Sequence, residues 1–253
     1  MKLMISVISI TFNNYDDLVK TLNSIKELSI EPTVVNGGSC QKTLGLLSSH
    51  HGLSVSEKDK GISDAFNKGL SLSHGDAVVY LNSGDILIDK NYYKEAEEIL
   101  NSCPEISFIY ADILLKDSMG GVLIVKSNGR LPNMPFMHPT LIVRRSVFEK
   151  IGNFDLQFKS AMDLDFAYRM LHAGYKGHYI PRVVVEMDGA GISSLNYWLS
   201  FKEKVQVLLK NQDYSLRTWM IMAGLGLNYL VRQFLLVLGL KGIIGSYRKY
   251  KHR

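Results

Sequence analysis

Short apolar runs and amphipathic stretches alternate along the first hundred residues of this chain. Runs of strand length that are rich in β-branched residues lie at 3–11, 32–35, 53–56 and 77–81. In the intervening stretches apolar residues recur at helical spacing, as Leu18, Leu22 and Ile25 do after the first run. Repeated βα units joined by short loops predict a mainly parallel sheet with covering helices.

The stretch 57–85 carries the clearest sign of a binding site. It contains a predicted helix at 62–70, a His74-Gly75-Asp76 turn, and the apolar run 77–81, which is typical of a strand buried on both faces. That run ends in Asn82-Ser83-Gly84-Asp85. Ligands of parallel sheets bind outside the carboxyl ends of the strands, so this polar cluster is a candidate site. The alternative is an ordinary turn, since Asn, Ser, Gly and Asp are common turn formers.

Two blocks of the chain resemble the signature of the family 2 glycosyltransferases, which build a nucleotide-sugar site on a GT-A fold. The first block comprises Asp59-Lys60-Gly61, Asp64-Ala65, Asn67-Lys68-Gly69, the His-Gly-Asp turn and the cluster at 82–85. The second runs from His138-Pro139-Thr140 through a Gly-x-Phe-Asp turn at 152–155 to an acidic pair, Asp163 and Asp165, that opens a predicted helix. With further matches at both flanks, the resemblance covers residues 4–190.

The resemblance implies an α/β chain whose residues 1–190 form a GT-A nucleotide-diphospho-sugar transferase domain, with a mainly parallel twisted sheet flanked by helices. Residues 191–253 are expected to form a C-terminal helical appendage. Within it, 197–210 predicts an amphipathic helix, and 219–244 is apolar but interrupted by polar residues and glycines. An uninterrupted membrane-spanning helix is therefore not expected there.

The aromatic residues, scattered cations and basic run 248–253 of this appendage suggest a pair of helices lying in a membrane surface. The alternative is packing against the catalytic domain or a second subunit. Cys40 and Cys103 have neither metal-ligand spacing nor the density of a secreted disulfide scaffold, which favours a reducing compartment. We therefore expect a cytoplasmic protein held peripherally at the inner face of the cytoplasmic membrane.

The net charge and the N-terminal residues bear on whether the chain binds nucleic acid or carries a signal peptide. The net charge of +5 is too small to indicate a nucleic-acid partner by itself. The first apolar run is followed at once by Asn13 and Asn14, with no small-residue cleavage site. The run therefore predicts a first strand rather than a signal peptide.

The activity that the resemblance implies is transfer of one sugar, with inversion, from a nucleoside-diphosphate donor to a hydroxyl of a glycan acceptor. By analogy with members that build bacterial surface polysaccharides such as O-antigen, capsule or exopolysaccharide, the acceptor is expected to be lipid-linked. The alternatives are a catalytically impaired nucleotide-sugar-binding subunit and a membrane-docking structural partner. Asp59, Asp64, Asp85 and Asp163 argue against both, because clustered carboxylates are costly without a cationic or hydroxyl-bearing ligand.

The resemblance also assigns roles to single residues. Asp163 matches the general base of the family, although an acidic residue at a helix N-terminus can simply stabilise the helix. His138 and Asp165 are expected on the acceptor side, while a lone histidine is also common in a hydrogen-bonded core. Asn36 stands where family members usually have an acidic residue that contacts the nucleotide base. Donor binding is expected from Thr11, Asn13, Asn36, Asp59, Lys60, Asp64 and Asn82.

Metal binding is expected at the cluster after the fourth apolar run. Many family members carry a DxD-type acidic cluster where this chain has Asn82-Ser83-Gly84-Asp85, in which only the last position is acidic. Asp85 is therefore the expected ligand of Mg²⁺ or Mn²⁺, alongside Asn82 or water. Asp112, in a later predicted strand, is expected to be solvated rather than a ligand.

Overall fold

The computed structural model describes residues 3–116, 121–189 and 196–237. The strands in this part of the chain are β1 (Ile5–Thr11), β2 (Glu31–Asn36), β3 (Leu53–Ser56), β4 (Ala77–Tyr80), β5 (Ile86–Leu87), β6 (Ile106–Lys116), β7 (Val122–Val125), β8 (Ile142–Arg144) and β9 (Lys176–Asp188). The helices are α1 (Tyr15–Ile25), α2 (Gln41–Ser48), α3 (Ile62–Leu72), α4 (Tyr92–Ser102), α5 (Arg145–Ile151), α6 (Met162–His172), α7 (Tyr197–Lys210) and α8 (Leu216–Val237), with a 3₁₀ turn at His138–Thr140.

The strands form one sheet in the order β3-β2-β1-β4-β8-β6-β9-β5, and β7 pairs with β6. The pairings β3-β2, β2-β1 and β1-β4 are parallel, which confirms the βα units predicted from the alternating pattern. Antiparallel pairing begins at β8, which lies between β4 and β6. The sequence pattern did not predict β5 or β9, and β9 pairs with both β6 and β5.

Apolar side chains cover both faces of the sheet. In β1, Ile8 faces the core under α3 and α6, together with Phe66 and Phe166. Its neighbour Val7 points to the opposite face and packs in a second core with side chains of α4 such as Leu100. Both faces of these central strands are buried, and β4 is continuously apolar, as the sequence indicated for the run 77–81.

The helix α7 packs into the same core as the sheet. Val207 and Leu208 are fully buried in the cluster that contains Phe66. The loop after α7 is tied to α6, because the Tyr168 hydroxyl donates to Asp213 Oδ2 at 2.7 Å. The part of the C-terminal region up to α7 therefore packs on the folded core, one of the arrangements that the sequence left open.

The helix α8 is continuous through residue 237. The end of the stretch 219–244, for which a pair of helices was suggested, lies outside the described residues. Thr218 and Met222 on one side are buried, and Met222 joins the core. The basic run 248–253 lies outside the described residues. Among the helices of the described ranges, none is both long enough and apolar enough to cross a membrane.

Asp112 in β6 is buried, so the prediction of a solvated side chain is wrong. Its Oδ1 accepts hydrogen bonds from the Ser127 N–H at 2.9 Å and from the Tyr179 hydroxyl at 2.7 Å. Both partners come from segments that lie beside β6 only in the folded protein. Asp112 therefore fastens the segment after β7 to β9.

Candidate active site

A cavity of about 500 Å³ opens at the carboxyl end of β4. Its walls come from the loop after β4, the 134–138 segment, the start of α6, the end of β9 and the side of α7. The polar side chains that line it include Asn82, Asp85, His138, Lys159, Ser160, Asp163, Asp188 and Lys204. The structure thus brings together Asn82, Asp85, His138 and Asp163, which the two sequence blocks singled out.

The floor of the cavity is built from the turn after β4. The Asn82 N–H donates to Asp85 Oδ2 at 3.0 Å, which turns the chain sharply after the strand. Asp85 is largely buried, and its Oδ2 lies 3.6 Å from His138 Nε2. Burial lowers the pKa of His138, but the hydrogen bond and charge of Asp85 and the charge of Asp163 outweigh it. The pKa of the imidazole therefore lies above its ordinary value.

Asn82 lies against the same imidazole. Its Nδ2 is 3.1 Å from His138 Nε2, and its buried Oδ1 has no hydrogen-bond partner among the described residues. A protonated imidazole has no acceptor to offer an amide N–H. Turning the amide by half a revolution would let Oδ1 accept from His138 and would remove the unpaired atom. We therefore assign Asn82 Oδ1, a second oxygen next to Asp85, to the His138 side of the cavity.

Asp163 lies in the first turn of α6, and its carboxylate faces the cavity. Its Oδ1 accepts the N–H of Leu164 at 2.8 Å, and no side chain caps the helix. Burial raises the pKa of Asp163 above its ordinary value, although the positive charges of His138 and Lys204 and the Leu164 N–H act against the rise. A half-buried carboxylate with a raised pKa is the kind of group that accepts a proton in general base catalysis.

Two lysines and two serines of the cavity were missed by sequence reasoning. Lys159 and Ser160 precede α6, while Ser200 and Lys204 lie on α7, and the Ser160 and Ser200 hydroxyls are 2.5 Å apart. The only sequence signal that pointed to Ser200 and Lys204 is the amphipathic pattern of α7. That pattern shows that one face is buried but not which cavity the other residues reach.

The loop that carries Asp163 is held by a carboxylate from α7. Glu203 is buried and accepts hydrogen bonds from three successive backbone N–H groups, those of Lys159, Ser160 and Ala161, at 2.7 to 3.1 Å. These groups lie at the N-terminus of α6, where backbone donors lack partners within the helix. The negative charge of Glu203 is also favourable at this end of the helix dipole. Glu203 thus fixes the backbone two residues before Asp163.

The predicted donor residues gather further along the same edge of the sheet, where the parallel strands β1, β2 and β3 end. Asn13 Oδ1 accepts the N–H groups of Ser39 and Cys40 at 2.9 and 3.1 Å, which ties the loop after β1 to the loop after β2. Gly38 is needed there, since a Cβ would lie 2.7 Å from the backbone nitrogen of Asn13, and a Cβ on Gly37 would meet the Asp59 carboxylate. Thr11, Asn13 and Asp59 therefore lie together, with Asn82 of the neighbouring strand joining this edge to the cavity.

Lys60 and Asp64 lie at the same edge, at the start of α3. Asp64 Oδ2 accepts the Lys60 N–H at 2.9 Å and lies 3.5 Å from Lys68 Nζ. The Lys60 side chain is exposed, so its charge is available to an anionic ligand. Asp64 has a local structural role in closing the loop before α3.

Asn36 and Asp165 do not occupy the positions that the sequence suggested. Asn36 is fully buried, and its amide bonds to Gly38 and to Ser56 Oγ, so it shapes the loop after β2 instead of facing a base. Asp165 is fully buried against Arg169 and Lys210, at 2.9 Å from each. The acceptor-side prediction for Asp165 is therefore wrong. Residues two positions apart on a helix face different directions, and Asp163 is the one that reaches the cavity.

Metal ligands at the cavity floor are few. No group of three or more His, Cys, Asp and Glu side chains is arranged to hold a metal ion within the ranges that the structure describes. The Asp85 carboxylate and the Asn82 amide oxygen, which keeps a second lone pair besides the one turned to His138, are two oxygens of the kind that Mg²⁺ and Mn²⁺ prefer. They fit a cation that takes its other ligands from a bound diphosphate and water.

Relatives with similar sequences are glycosyltransferases. The family model described as Glycosyl transferase family 2 matches residues 6–152. An uncharacterised glycosyltransferase of Mycobacterium tuberculosis is 30% identical over 202 residues, which cover 75% of this chain and 77% of that protein. A PGL/p-HBAD biosynthesis glycosyltransferase of Mycobacterium bovis is 25% identical over 183 residues, or 66% of this chain and 69% of that protein.

Two solved structures share the fold. S. aureus TarS in complex with UDP-GlcNAc superposes with a TM-score of 0.62 and 17% identity, over 82% of this chain and 67% of that chain. The mannosyltransferase PcManGT from Pyrobaculum calidifontis, in complex with GDP-Man and Mn²⁺, gives a TM-score of 0.63 and 16% identity, over 99% and 83% of the two chains. Together with the match from β1 through α5, these findings show that the chain belongs to the family 2 glycosyltransferases and has their GT-A fold.

Proposed function

We propose that this transferase moves one sugar, with inversion, from a nucleoside-diphosphate donor to a hydroxyl of a lipid-linked glycan, in the assembly of a bacterial surface polysaccharide. In such a displacement the acceptor oxygen bonds to the anomeric carbon as the bond to the diphosphate breaks. The acceptor proton must pass to a base, and the diphosphate leaves with the bonding electron pair.

The observation that supports this proposal most is the position of Asp163. Its carboxylate lines the same cavity as Asn82 and Asp85, and burial raises its pKa. The Asp163 carboxylate can accept the proton of a hydroxyl, and Asn82 and Asp85 on the cavity floor can hold a cation that balances the charge of the departing diphosphate. The neighbouring part of the same sheet edge, with Thr11, Asn13, Asp59 and Lys60, is where we place the nucleoside.

The charge that develops on the leaving diphosphate has to be balanced. A Mg²⁺ or Mn²⁺ ion, when bound, would supply this balance, and Asp85 and Asn82 Oδ1 would hold it. In the part of the chain that the structure describes, the cations that line the cavity are Lys159, Lys204 and His138, whose pKa is raised. They would attract the anionic donor and hold it in place.

Binding of the donor can be tested by thermal unfolding of the full chain with a panel of nucleoside-diphosphate sugars. A true donor at a hundred times its Kd should add about 2.7 kcal/mol to the free energy of unfolding. For a chain of this size that raises Tm by about 5–10 °C. We expect the increase with the donor and Mn²⁺ to be larger than the increase with the donor and EDTA, because a single carboxylate supports only a metal site shared with the diphosphate.

The outcomes separate the alternatives. Nucleoside monophosphates at the same concentration are the control for the diphosphate. Stabilisation by a nucleotide sugar, with neither transfer to an acceptor nor hydrolysis of the donor by water, would support the impaired binding subunit. Lack of stabilisation by every nucleotide sugar, with and without metal, would contradict the proposed donor site.

Attachment to a membrane is supported by the exposed face of α8. Among the α8 residues whose side chains the structure describes, six large apolar ones are exposed, and their spacing of three, four and seven residues places them along one side. They are Leu216, Met220, Leu227, Leu230, Val231 and Phe234. The opposite side of α8 packs on the core through Thr218 and Met222. We propose that the exposed side lies in the surface of the cytoplasmic membrane, parallel to it.

We expect the triple variant Leu227→Ser, Leu230→Ser, Phe234→Ser to bind anionic liposomes at least about tenfold more weakly than the unchanged chain. Each large apolar side chain that leaves water contributes about 1.5–3 kcal/mol, so partial burial of three suffices for this loss. Co-sedimentation with phosphatidylglycerol liposomes measures it. The double variant Val122→Ser, Ile124→Ser removes two exposed apolar side chains of β7 and is the control. Equal loss in both variants, or none in either, would exclude the α8 face as the membrane contact.

A further inference from the structure

A second cavity, of about 470 Å³, lies outside the proposed reaction site. It lies between β6, β9, the loop after β7 and the first turns of α8. Two tyrosines form one wall, with Tyr110 and Tyr179 stacked at a centroid distance of 5.2 Å. The other lining residues are Ser127, Asn128, Arg130, Leu131, Pro132, Asn133, Arg217 and Ile221. None of the residues assigned above to donor binding or proton transfer lines this second cavity.

The two cavities share a wall. Phe136 lines the reaction cavity, and its ring centroid lies 4.7 Å from that of Tyr110 in the second cavity. The loop between them is closed by a hydrogen bond from the Gly129 N–H to the Pro135 carbonyl at 3.1 Å. Its residues 128 and 130–133 line the second cavity, whereas 134, 136 and 137 line the reaction cavity. The two cavities thus lie on the two sides of one short loop.

The charge of the second cavity is positive. Arg130 and Arg217 come from separate elements, and neither guanidinium has an ion-pair or hydrogen-bond partner among the described residues. No aspartate or glutamate of the described ranges lines this cavity. Asp112 lies behind it, but its Oδ1 is already occupied by Ser127 and Tyr179. Two unpaired guanidinium groups above an aromatic wall match an anionic oxygen cluster such as a phosphate ester.

The tyrosine wall remains neutral as well as rigid. Burial, followed by the hydrogen bond to Asp112, raises the pKa of Tyr179 to about 12. The hydroxyl is therefore protonated at neutral pH, and it directs its proton at Asp112 rather than into the cavity. The wall adds no negative charge that would repel an anion.

We propose that the second cavity binds the phosphate ester of an amphiphilic acceptor, whose sugar end reaches the reaction cavity across the Tyr110 and Phe136 wall. The proposal rests on the proposed function, since it places the lipid-linked acceptor of that reaction. Arg217 and Ile221 lie on α8, the helix whose opposite, exposed side is apolar. A phosphate between the arginines would thus be held where a hydrocarbon chain can continue along α8 into a bilayer.

The test is direct binding of decyl phosphate, below its micellar concentration, to the full chain by titration calorimetry. We expect saturable binding that weakens with added salt, because charge attraction contributes. Arg130→Gln and Arg217→Gln should each weaken it by roughly tenfold or more, the usual loss when a charged hydrogen bond is removed. Arg217→Lys keeps the charge without the planar fork and should lie between. Lys94→Gln, an exposed cation on α4, is the matched control and should bind as the unchanged chain does.

Three outcomes would overturn the proposal. Equal binding of octyl glucoside would show that the cavity takes any apolar chain, and equal loss in Lys94→Gln would show general charge attraction. Binding to phosphatidylglycerol vesicles that depends on both arginines, without binding of monomeric decyl phosphate, would show that the arginines face bilayer headgroups. Circular dichroism of each variant confirms that it is folded. Donor stabilisation in the same preparation tests the proposed function separately, because it needs no phosphate in the second cavity.

Discussion

Asp163→Asn should lower turnover by roughly 10²-fold or more while the affinity for the donor stays within about twofold. The substitution keeps the size of the side chain and its bond to the Leu164 N–H, but it removes the oxygen that can accept a proton. The neighbouring carboxylate cannot replace it, because Asp165 is buried in ion pairs with Arg169 and Lys210.

The pH dependence gives an independent reading of the same residue. A base works only when deprotonated, so the rate should rise with pH through the raised pKa of Asp163 and be lost at pH values below it. In Asp163→Asn this acid limb should disappear from the residual rate. The negative charge of Asp163 also helps to raise the pKa of His138, so that pKa should fall in the variant.

Steady-state turnover and an NMR titration of the histidine ring protons measure these effects. Near-normal turnover in Asp163→Asn would place the base elsewhere. A fall in the pKa of His138 without loss of turnover would show that Asp163 lies near His138 but is not the general base.

Glu203→Ala should lower the free energy of unfolding by about 3 kcal/mol or more and should also lower turnover. It leaves three backbone N–H groups, those of Lys159, Ser160 and Ala161, without their acceptor. Each buried N–H group that loses its acceptor costs about 1–3 kcal/mol of stability, and the cost is smaller where a water molecule replaces the acceptor. The loss in Tm should be about 6–12 °C for a chain of this length.

The effect on turnover separates positioning from stability alone. Glu203 does not line the reaction cavity, so it acts only by holding the backbone before Asp163. At a temperature where all variants are folded, we expect kcat to fall while the donor Kd stays unchanged. Glu203→Gln keeps one oxygen acceptor and should restore part of both losses. Glu98→Ala, an exposed glutamate of α4, is the matched control, and a kcat loss as large in that variant would contradict the positioning role.

Local pattern in the sequence was sufficient for the first half of the fold. Strand β4 is continuously apolar because both of its faces are covered, whereas the edge strand β3 alternates apolar residues with exposed serines. The helices between the first four strands have one apolar side. The residues of the reaction cavity that sequence found, Asn82, Asp85, His138 and Asp163, all lie in the two blocks of family resemblance. Their spacing in the sequence reflects turns and a helix start, which are local structures.

Contacts between distant segments were decided only by the tertiary structure. β9 pairs with β6 and β5, and most of its residues pair with a residue 70 or more positions earlier in the chain. No local sequence pattern indicates such a pairing. Asn36 and Asp112 are polar residues in strands, and whether each is buried depends on the donors and acceptors that other segments bring to it. Asp163 and Asp165 are two positions apart on one helix, and only the packing of α7 determines which of them is free to face the cavity.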